Sequence, residues 1–198
     1  MIVLNIEEIK SKALENHIPI IMDDTLHVIE KILIKEKPVK VLEIGTATGY
    51  SAICFAKIIL DNGTQVKIDT IELDEQRASE AITNIKGMDL QENINVMIGN
   101  AVEILPTLNN EYDIVFIDAA KGKYPIFLHE AIRMSHEGTI ILADNILYKG
   151  YVMSDYNKHK QRTAVTHLRE YIKEATEDDR LETEILEVGD GLAISRVK

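Results

Sequence analysis

The feature that most constrains this chain is the regular alternation of short β-prone runs with helical stretches between residues 40 and 144. Five apolar runs rich in β-branched residues stand out, namely KVLEIG, QVKIDTIEL, NINVMIG, YDIVFID and GTIILAD. Strands that alternate with helices form a parallel sheet, because each helix carries the chain back to the same edge and covers one face. The alternation therefore predicts an α/β fold with helices on both faces of the sheet.

The segment after the last of these runs has a different pattern. A predicted helix from Thr163 to Ala175 is followed by two β-prone runs that meet at Gly189-Asp190-Gly191, a turn signal that indicates a hairpin. The sheet is therefore predicted to have seven strands, mostly parallel, with an antiparallel hairpin at one edge. The other predicted helices are Asp24 to Leu33 before Pro38, residues 51–60 before the turn at Asp61-Asn62-Gly63, and residues 75–88, 101–108 and 124–135.

The length and composition favour one domain over residues 1–198, with an N-terminal helical segment (1–37) that contributes to a pocket or a dimer contact. The chain has 198 residues, 45% hydrophobic and 28% charged, and no Pro/Gly-rich linker. No apolar stretch approaches the ~20 residues needed to span a bilayer, and the first residues include acidic ones. A cytoplasmic location without a membrane is expected. Cys54, the single cysteine, lies in an apolar pattern that predicts a buried side chain.

The charge distribution leaves two interpretations open. A net charge of −11 disfavours a broad phosphate-binding surface, since nucleic-acid binding relies on Lys and Arg. Residues 147–175 nevertheless carry six basic and three acidic side chains, a local balance of 6 − 3 = +3. Aromatic residues lie in the same segment, so it suits either a nucleotide contact, a dimer contact or a solvated helix face. The residues concerned are Lys149, Lys158, Lys160, Arg162, Arg169 and Lys173, with Tyr148, Tyr151 and Tyr156.

The first strand ends in a small-residue loop that suits a ligand approaching the backbone. Glu43 precedes the loop, which runs from Gly45 to Gly49 and leads into a helix. The second strand ends at Glu72, 23 residues after Gly49, where a carboxylate can accept both hydroxyls of a ribose. A dinucleotide site is disfavoured, because its glycine pattern would need glycine at position 50, where this chain has Tyr50. The arrangement therefore indicates nucleoside binding without a nicotinamide.

Oxygen-bearing side chains follow two later strands. Asp118 ends the fourth strand, and Asp144 and Asn145 end the fifth. Because ligands bind beyond the carboxyl ends of parallel strands, these side chains are expected to lie close together. Two carboxylates and an amide suit a hard cation such as Mg²⁺, Mn²⁺ or Ca²⁺. Each residue taken alone is more typical of a turn cap at a strand end, whereas the three together, beside the nucleoside loop, favour a metal site.

With these residues in place, the chain resembles the metal-dependent O-methyltransferases of the catechol and caffeoyl-CoA type, which belong to the class I S-adenosylmethionine-dependent enzymes. The resemblance runs from about Ile18 to the C-terminus and is carried by the blocks VLEIGTATGYSA, FIDAAKGKY and LADNILYKG. A finer likeness, to bacterial tRNA 5-hydroxyuridine methyltransferases, is suggested by NHIPII followed by GTATGYSA. The resemblance implies a Rossmann-like methyltransferase fold, S-adenosyl-L-methionine as cofactor, and a homodimer.

The same resemblance implies roles for individual residues. Ser51 would bind the cofactor carboxylate, Glu72 the ribose, and Asp118 both the metal and the neighbourhood of the methionine amine. Lys121 matches the family's general base, whereas the tryptophan that precedes that lysine in catechol enzymes is Ala120 here. The implied cofactor-binding residues are Met22, Glu43, Gly45, Thr46, Gly49, Ser51, Glu72, Gly99, Asn100, Ala101 and Asp118; the catalytic residues are Lys121 and Asp118; the metal ligands are Asp118, Asp144 and Asn145.

The expected function is methyl transfer to 5-hydroxyuridine at the wobble position of tRNA, as the bacterial relatives imply. The alternative keeps the chemistry and makes the acceptor a small catechol or phenol. The acidic net charge favours the small acceptor, whereas the basic segment and the missing tryptophan favour RNA. A cofactor-binding regulatory module without catalysis and a nicotinamide oxidoreductase are less consistent with Asp118, Lys121, Asp144 and Tyr50.

Overall fold

The predicted strands and helices are present in the computed structural model, which describes residues 5–154 and 161–198. The chain divides into two units, Met1–Ala101 and Val102–Lys198. Its seven strands form the mixed sheet expected of a Rossmann-like methyltransferase fold, which confirms the predicted fold class. Part of the basic segment, including Tyr156, Lys158 and Lys160, lies outside the described residues.

Unit 1 contains three parallel strands in the order β3-β2-β1, preceded and connected by helices. In the pairing of the first two strands, Glu43 lies opposite Thr70. The last four residues of the first strand are all buried, as expected for a strand covered on both faces. The elements are α1 (Ile6–Glu15), α2 (Asp23–Glu36), β1 (Lys40–Ile44), α3 (Tyr50–Asp61), β2 (Lys67–Glu72), α4 (Glu75–Gly87) and β3 (Ile94–Ile98).

Local sequence signals set the helix ends of unit 1. Asn5 begins α1 with a capping box, in which its side chain accepts from the Glu8 backbone and Glu8 accepts from the Asn5 backbone. Asp74 caps α4 by accepting from two backbone N–H groups of the first turn. Helix α2 continues to Glu36, three residues beyond its predicted end at Leu33, and stops where Lys37 adopts a left-handed conformation directly before Pro38.

Unit 2 contains the remaining four strands in the order β4-β5-β7-β6. Strands β4 and β5 are parallel, whereas β7 runs antiparallel to both β5 and β6, so the predicted hairpin is confirmed. The elements are β4 (Tyr112–Ile117), α6 (Tyr124–Arg133), β5 (Ser135–Asp144), α7 (Arg162–Glu177), β6 (Leu181–Leu186) and β7 (Leu192–Val197), with α5 (Ala101–Ile104) at the start and short 3₁₀ turns at Leu105–Thr107 and Lys121–Lys123.

Two adjacent predicted boundaries in unit 2 are wrong. The sequence predicts a helix over 124–135 and a strand from Gly138, whereas the helix ends at Arg133 and the strand begins at Ser135. Ser135 already pairs with Tyr112, after which the register shifts before regular pairing resumes at Ile140. The early part of β5 is therefore an irregular extension, with Gly138 at a φ of +92°.

Two further expectations can be compared with the structure. Cys54 is buried at 5% exposure, as predicted, and burial raises the pKa of its thiol to about 12. Among residues 5–154 and 161–198, no helix is both long enough and apolar enough to cross a membrane.

Candidate active site

In unit 1, the loop between β1 and α3 has an unusual backbone. Gly45, Ala47 and Gly49 have φ values of +106°, +47° and +81°, so the chain reverses through left-handed conformations within a short loop. A Cβ atom added at Gly49 would lie 3.2 Å from the Cβ of Ala81 in α4. Glycine at this position therefore allows both the positive φ and the close approach of α4.

Glu43, at the base of this loop, is fully buried and bonded to hydroxyl groups. Its Oε1 accepts from the Ser51 hydroxyl at 2.5 Å, and its Oε2 accepts from the Thr70 hydroxyl at 2.5 Å. The Thr46 and Thr70 hydroxyls are 2.6 Å apart. The predicted cofactor residues Glu43, Thr46 and Ser51 are thus brought together, and Thr70 joins them.

Glu72, at the end of β2, is only 8% exposed and holds the same loop from a second side. Its Oε2 accepts from the Ala47 backbone N–H at 2.8 Å, and its Oε1 accepts from that of Asp74 at 2.9 Å. Its backbone carbonyl accepts from Gly99 N–H at 2.8 Å, which places Gly99 beside it. Each carboxylate oxygen has a second lone pair, so Glu72 retains the capacity to accept from two further hydroxyls.

The remaining predicted cofactor residues of unit 1 lie nearer the surface. Met22 is the N-cap residue of α2 and is 50% exposed. Asn100 is exposed directly before α5, which begins at Ala101. Met22 and Asn100 are therefore accessible to a ligand, and the role of every one of these residues toward a cofactor is still a prediction.

In unit 2, the predicted catalytic and metal-binding residues converge on one amine. Lys121 Nζ lies 3.0 Å from Asp118 Oδ1 and 2.9 Å from Asn145 Oδ1. It also donates to Tyr124 Oη at 2.6 Å and approaches the Asp144 backbone carbonyl at 3.4 Å. The carboxyl ends of β4 and β5 therefore bring together all four residues that the sequence places there.

Asp144 has the most perturbed carboxyl group of this cluster. The residue is 1% exposed, and burial, together with the charge of Asp118, raises the pKa of its carboxyl to about 7. Its Oδ1 accepts from the Asn145 backbone N–H at 2.7 Å. Its Oδ2 is buried and has no hydrogen-bond partner within the described part of the chain. A buried carboxylate oxygen without a donor is energetically unfavourable, unless a cation or another ligand completes it.

The unpartnered, buried oxygen of Asp144 and the oxygens around it fit a divalent cation. The available donors are carboxylate, amide and carbonyl oxygens without sulfur or imidazole, which is the ligand chemistry of Mg²⁺ and Ca²⁺. The Lys121 amine contacts two of the same oxygens as a positively charged group. Among the described residues, no group of three or more His, Cys, Asp or Glu side chains could hold a metal ion, so this candidate site has only two carboxylates, with an amide as its third side-chain donor.

Tyr124 is a site residue to which the sequence assigned no role. Its ring is fully buried, with an edge-on contact to Tyr171 at 5.6 Å. Its hydroxyl donates to the Asp144 carbonyl at 2.8 Å and accepts from Lys121. Burial, followed by the charges of Asp118 and Asp144, raises the pKa of this phenol well above its ordinary value. Tyr124 therefore links the lysine to the backbone of the buried aspartate as a neutral hydroxyl.

The segment that follows Asp144 and Asn145 is held in place by hydrogen bonds to its backbone carbonyls. Asn145, Tyr148 and Lys149 all have positive φ values, at 57°, 45° and 58°. Arg169 on α7 donates to the carbonyls of Val152 at 2.9 Å and of Tyr151 and Ser154. The Arg169 guanidinium thus fastens this loop, a use that the sequence pattern did not reveal.

The side chains of the same segment include an aromatic pair. Tyr148 and Tyr151 contact edge to face, with ring centroids 6.1 Å apart. Leu147 packs on the hairpin turn, where a Cβ atom added at Gly191 would lie 2.9 Å from the Leu147 Cβ and closer still to its Cγ. The loop therefore presents two adjacent phenol rings on a tightly packed base.

Comparison with known proteins gives one family. The family model described as O-methyltransferase matches residues 3–198. The chain is 34% identical over 167 residues to the catechol O-methyltransferase of Niastella koreensis, covering 80% of this chain and 73% of that protein. It is 30% identical over 172 residues to the caffeoyl-CoA O-methyltransferase of Stellaria longipes, covering 81% and 68%. The match to the bovine catechol O-methyltransferase is 29% identical and spans 59% of that protein's length.

Solved structures show the same similarity. An O-methyltransferase from Bacillus cereus, crystallised with SAH, superposes with a TM-score of 0.85 at 25% identity, covering 98% of this chain and 90% of that chain. A Staphylococcus aureus protein provisionally described as a caffeoyl-CoA O-methyltransferase gives a TM-score of 0.90 at 29% identity, covering 98% and 93%.

Proposed function

Because the chain belongs to the O-methyltransferase family, we propose that it transfers a methyl group from S-adenosylmethionine to an acidic hydroxyl held beside a divalent cation. The acceptor oxygen bonds to the methyl carbon as the bond from that carbon to sulfur breaks, which yields a methyl ether and S-adenosylhomocysteine. The hydroxyl proton must pass to a base. The observation that carries the proposal is the cluster of oxygens around Lys121. In the same cluster, the buried Oδ2 of Asp144 has no hydrogen-bond partner among the described residues.

Asp118, Asp144 and Asn145 are the proposed ligands of the cation. When bound, the cation would lower the pKa of the acceptor hydroxyl. Asp118 and Asn145 would supply one oxygen each. In this structure both oxygens accept hydrogen bonds from the Lys121 amine. Asp144 supplies the buried oxygen that has no other partner among the described residues.

Lys121 is the proposed general base. Its side chain is only 15% exposed, and its amine lies among the proposed metal ligands, where an acceptor hydroxyl bound to the same cation would be held. Tyr124 already donates its proton to the Asp144 carbonyl, so its oxygen accepts from the lysine and keeps the amine in place. The lysine then holds the transferred proton until the product leaves.

Unit 1 supplies the proposed methyl-donor site. Glu43 and the loop from Gly45 to Gly49 would contact the amino acid part of the donor, and Ser51 its carboxylate. Glu72 retains lone pairs for the ribose hydroxyls, with Gly99 beside it for the adenine. The related Bacillus cereus structure with SAH supports this use of the fold.

The favoured acceptor is a small catechol-like phenol. A catechol presents two adjacent oxygens, one to be methylated and one that can bind the same cation. The relatives from Niastella koreensis and Stellaria longipes are described as catechol and caffeoyl-CoA O-methyltransferases. Arg169 belongs to the basic segment that favoured RNA. Its guanidinium already donates hydrogen bonds to backbone carbonyls of the same chain, so it does not support an RNA contact.

A second candidate acceptor is 5-hydroxyuridine in tRNA. This base also presents a hydroxyl beside a second oxygen, the carbonyl at its C4 position, so the same cation chemistry applies. Ala120 in place of a tryptophan and the Tyr148–Tyr151 pair favour it, because phenol rings can stack on a base. The two acceptors thus share one catalytic cluster and differ in what surrounds it.

The deciding experiment offers both acceptors to the purified protein. Methyl-labelled S-adenosylmethionine and Mg²⁺ are incubated with a catechol panel, and separately with tRNA that carries 5-hydroxyuridine. Label in a catechol alone supports the favoured acceptor, and label in tRNA alone supports the second. Lys121→Met serves as the control, because it should remove transfer to either acceptor. Label in neither acceptor would refute the proposal.

A further inference from the structure

A buried row of three polar side chains lies beneath the proposed methyl-donor loop. Thr46, Thr70 and Glu43 are at most 1% exposed, and their oxygens are joined in sequence by distances of 2.6 and 2.5 Å. Thr70 and Glu43 are direct partners in the register of β2 and β1. Thr70 therefore faces the carboxylate from the neighbouring strand rather than from the loop.

The direction of each hydrogen bond in this row follows from counting protons. A threonine hydroxyl has one proton, and a carboxylate oxygen only accepts. Thr70 donates that proton to Glu43 Oε2, so the bond between the two threonines must be donated by Thr46. Thr46 thus orients Thr70, and Thr70 orients Glu43.

The other oxygen of Glu43 has a partner that is itself a proposed contact of the methyl donor. Ser51 donates its single hydroxyl proton to Glu43 Oε1. The same serine hydroxyl is proposed to bind the carboxylate of the methyl donor, and one proton cannot serve both acceptors at full strength. When Ser51 turns to the donor, Thr70 remains as the hydroxyl that fixes Glu43.

We propose that Thr70 is a positioning residue of the methyl-donor site, which holds the Glu43 carboxylate in place to receive the ammonium group of the donor's amino acid part. The inference rests on the proposed function, since it assumes that Glu43 contacts that part of S-adenosylmethionine. Thr70 itself has no direct donor contact in this proposal, because its hydroxyl lies on Glu43 Oε2. Glu43 is also fully buried, and its Oε1, which Ser51 holds in this structure, becomes the oxygen that receives the ammonium group when Ser51 turns to the donor. The Thr70 hydroxyl acts by keeping the Glu43 carboxylate in one orientation. Without this hydrogen bond, the carboxylate could turn to present a different lone pair.

The test compares two ligands that differ only in the part concerned. S-adenosylhomocysteine carries the amino acid group, whereas 5′-methylthioadenosine keeps the adenosine and the thioether without it. Thr70→Val removes the hydroxyl at nearly constant volume. Isothermal titration calorimetry should show S-adenosylhomocysteine affinity about tenfold lower than in the wild type, because a hydrogen bond to a charged group is lost. Affinity for 5′-methylthioadenosine should change by less than about twofold, and Thr70→Ser should restore binding.

Thr139→Val is the matched control. Thr139 is also a fully buried strand threonine, and its hydroxyl donates to the Tyr112 carbonyl at 2.8 Å. Its substitution should lower the melting temperature to a similar degree without changing the affinity for either ligand. Thr46→Val removes the hydroxyl that donates to Thr70 and should weaken S-adenosylhomocysteine binding by a smaller factor, about threefold.

Each outcome decides the inference. Equal loss of both ligands in Thr70→Val, or unchanged binding of both, would overturn the positioning role. If Thr70→Val does not fold, Thr70→Ala decides in its place by the same ligand comparison. A wild-type protein that binds neither ligand would refute the proposed donor site itself, and so differs from a failure of Thr70 alone.

Discussion

Asp144→Asn should stabilise the cation-free protein at alkaline pH while removing its response to Mg²⁺. Asp144 is 1% exposed, and its Oδ2 has no partner among the described residues. Ionising this carboxyl in the folded protein is therefore unfavourable without a cation. Asparagine keeps the shape and the oxygen that accepts from the Asn145 backbone, but it has no charge to bury.

The magnitude follows from the pKa of Asp144, which burial raises from 3.8 to about 7. The folded protein then keeps a proton that the unfolded chain has released, so stability is fully present below about pH 4 and falls as pH rises through 7. The full loss is about 4 kcal/mol, at about 1.4 kcal/mol for each pKa unit. Between pH 5.5 and 8.5 the wild type should lose about 2 kcal/mol that the substituted protein keeps.

Urea unfolding in EDTA at about pH 5.5 and pH 8.5 measures this difference directly. Titrating groups outside this cluster contribute equally to both proteins, so the change in the difference between them isolates Asp144 together with its coupling to Asp118 and Lys121. At the higher pH, Mg²⁺ should raise the free energy of unfolding of the wild type and leave that of Asp144→Asn unchanged. A wild-type-to-variant difference that is the same at both pH values would refute the burial argument.

Three other sets of substitutions or treatments test separate parts of the structure. Lys121→Met should abolish methyl transfer. It should also raise the Mg²⁺ affinity measured by calorimetry several-fold, because it removes a positive charge that contacts two proposed ligands. Weaker Mg²⁺ binding would contradict this. Gly191→Ala should lower the free energy of unfolding by ~2–4 kcal/mol, since its Cβ would overlap the Leu147 side chain at a φ of +90°. Gly138→Ala, with a φ of +92° and no atom within 4 Å, should lose only ~1 kcal/mol in the same urea titration. Burial raises the pKa of the Cys54 thiol to about 12, so Cys54 should not react with a thiol reagent near pH 8 until urea unfolds the protein. Rapid reaction of Cys54 in the folded protein would contradict its burial.

The sequence predicts the strand ends of this fold well because parallel strands place their carboxyl ends at one edge of a sheet. Asp118 and Asn145 could therefore be grouped before any contact was known, and both contact Lys121. The start of β5 could not be predicted in the same way. Its first residues pair irregularly with Tyr112, and no hydrophobic period indicates an irregular extension.

Contacts that depend on register or on a backbone carbonyl were beyond the sequence. Thr70 faces Glu43 only because β1 and β2 pair in one particular register, which neither strand specifies alone. Tyr124 bonds to the main chain of Asp144, 20 residues away, and any residue type at that position has a carbonyl. Arg169 likewise binds carbonyls, so its basic character suggested a partner outside the chain.

The cation dependence of methyl transfer is the direct test of the proposed metal site. Transfer from labelled S-adenosylmethionine to the acceptor that the wild-type protein uses is measured in EDTA and again after Mg²⁺ is restored. Transfer should stop in EDTA and return with Mg²⁺. Binding of S-adenosylhomocysteine should persist throughout, because most of its proposed contacts lie on residues other than the metal ligands. Transfer that continues undiminished in EDTA would contradict the metal site at Asp118, Asp144 and Asn145.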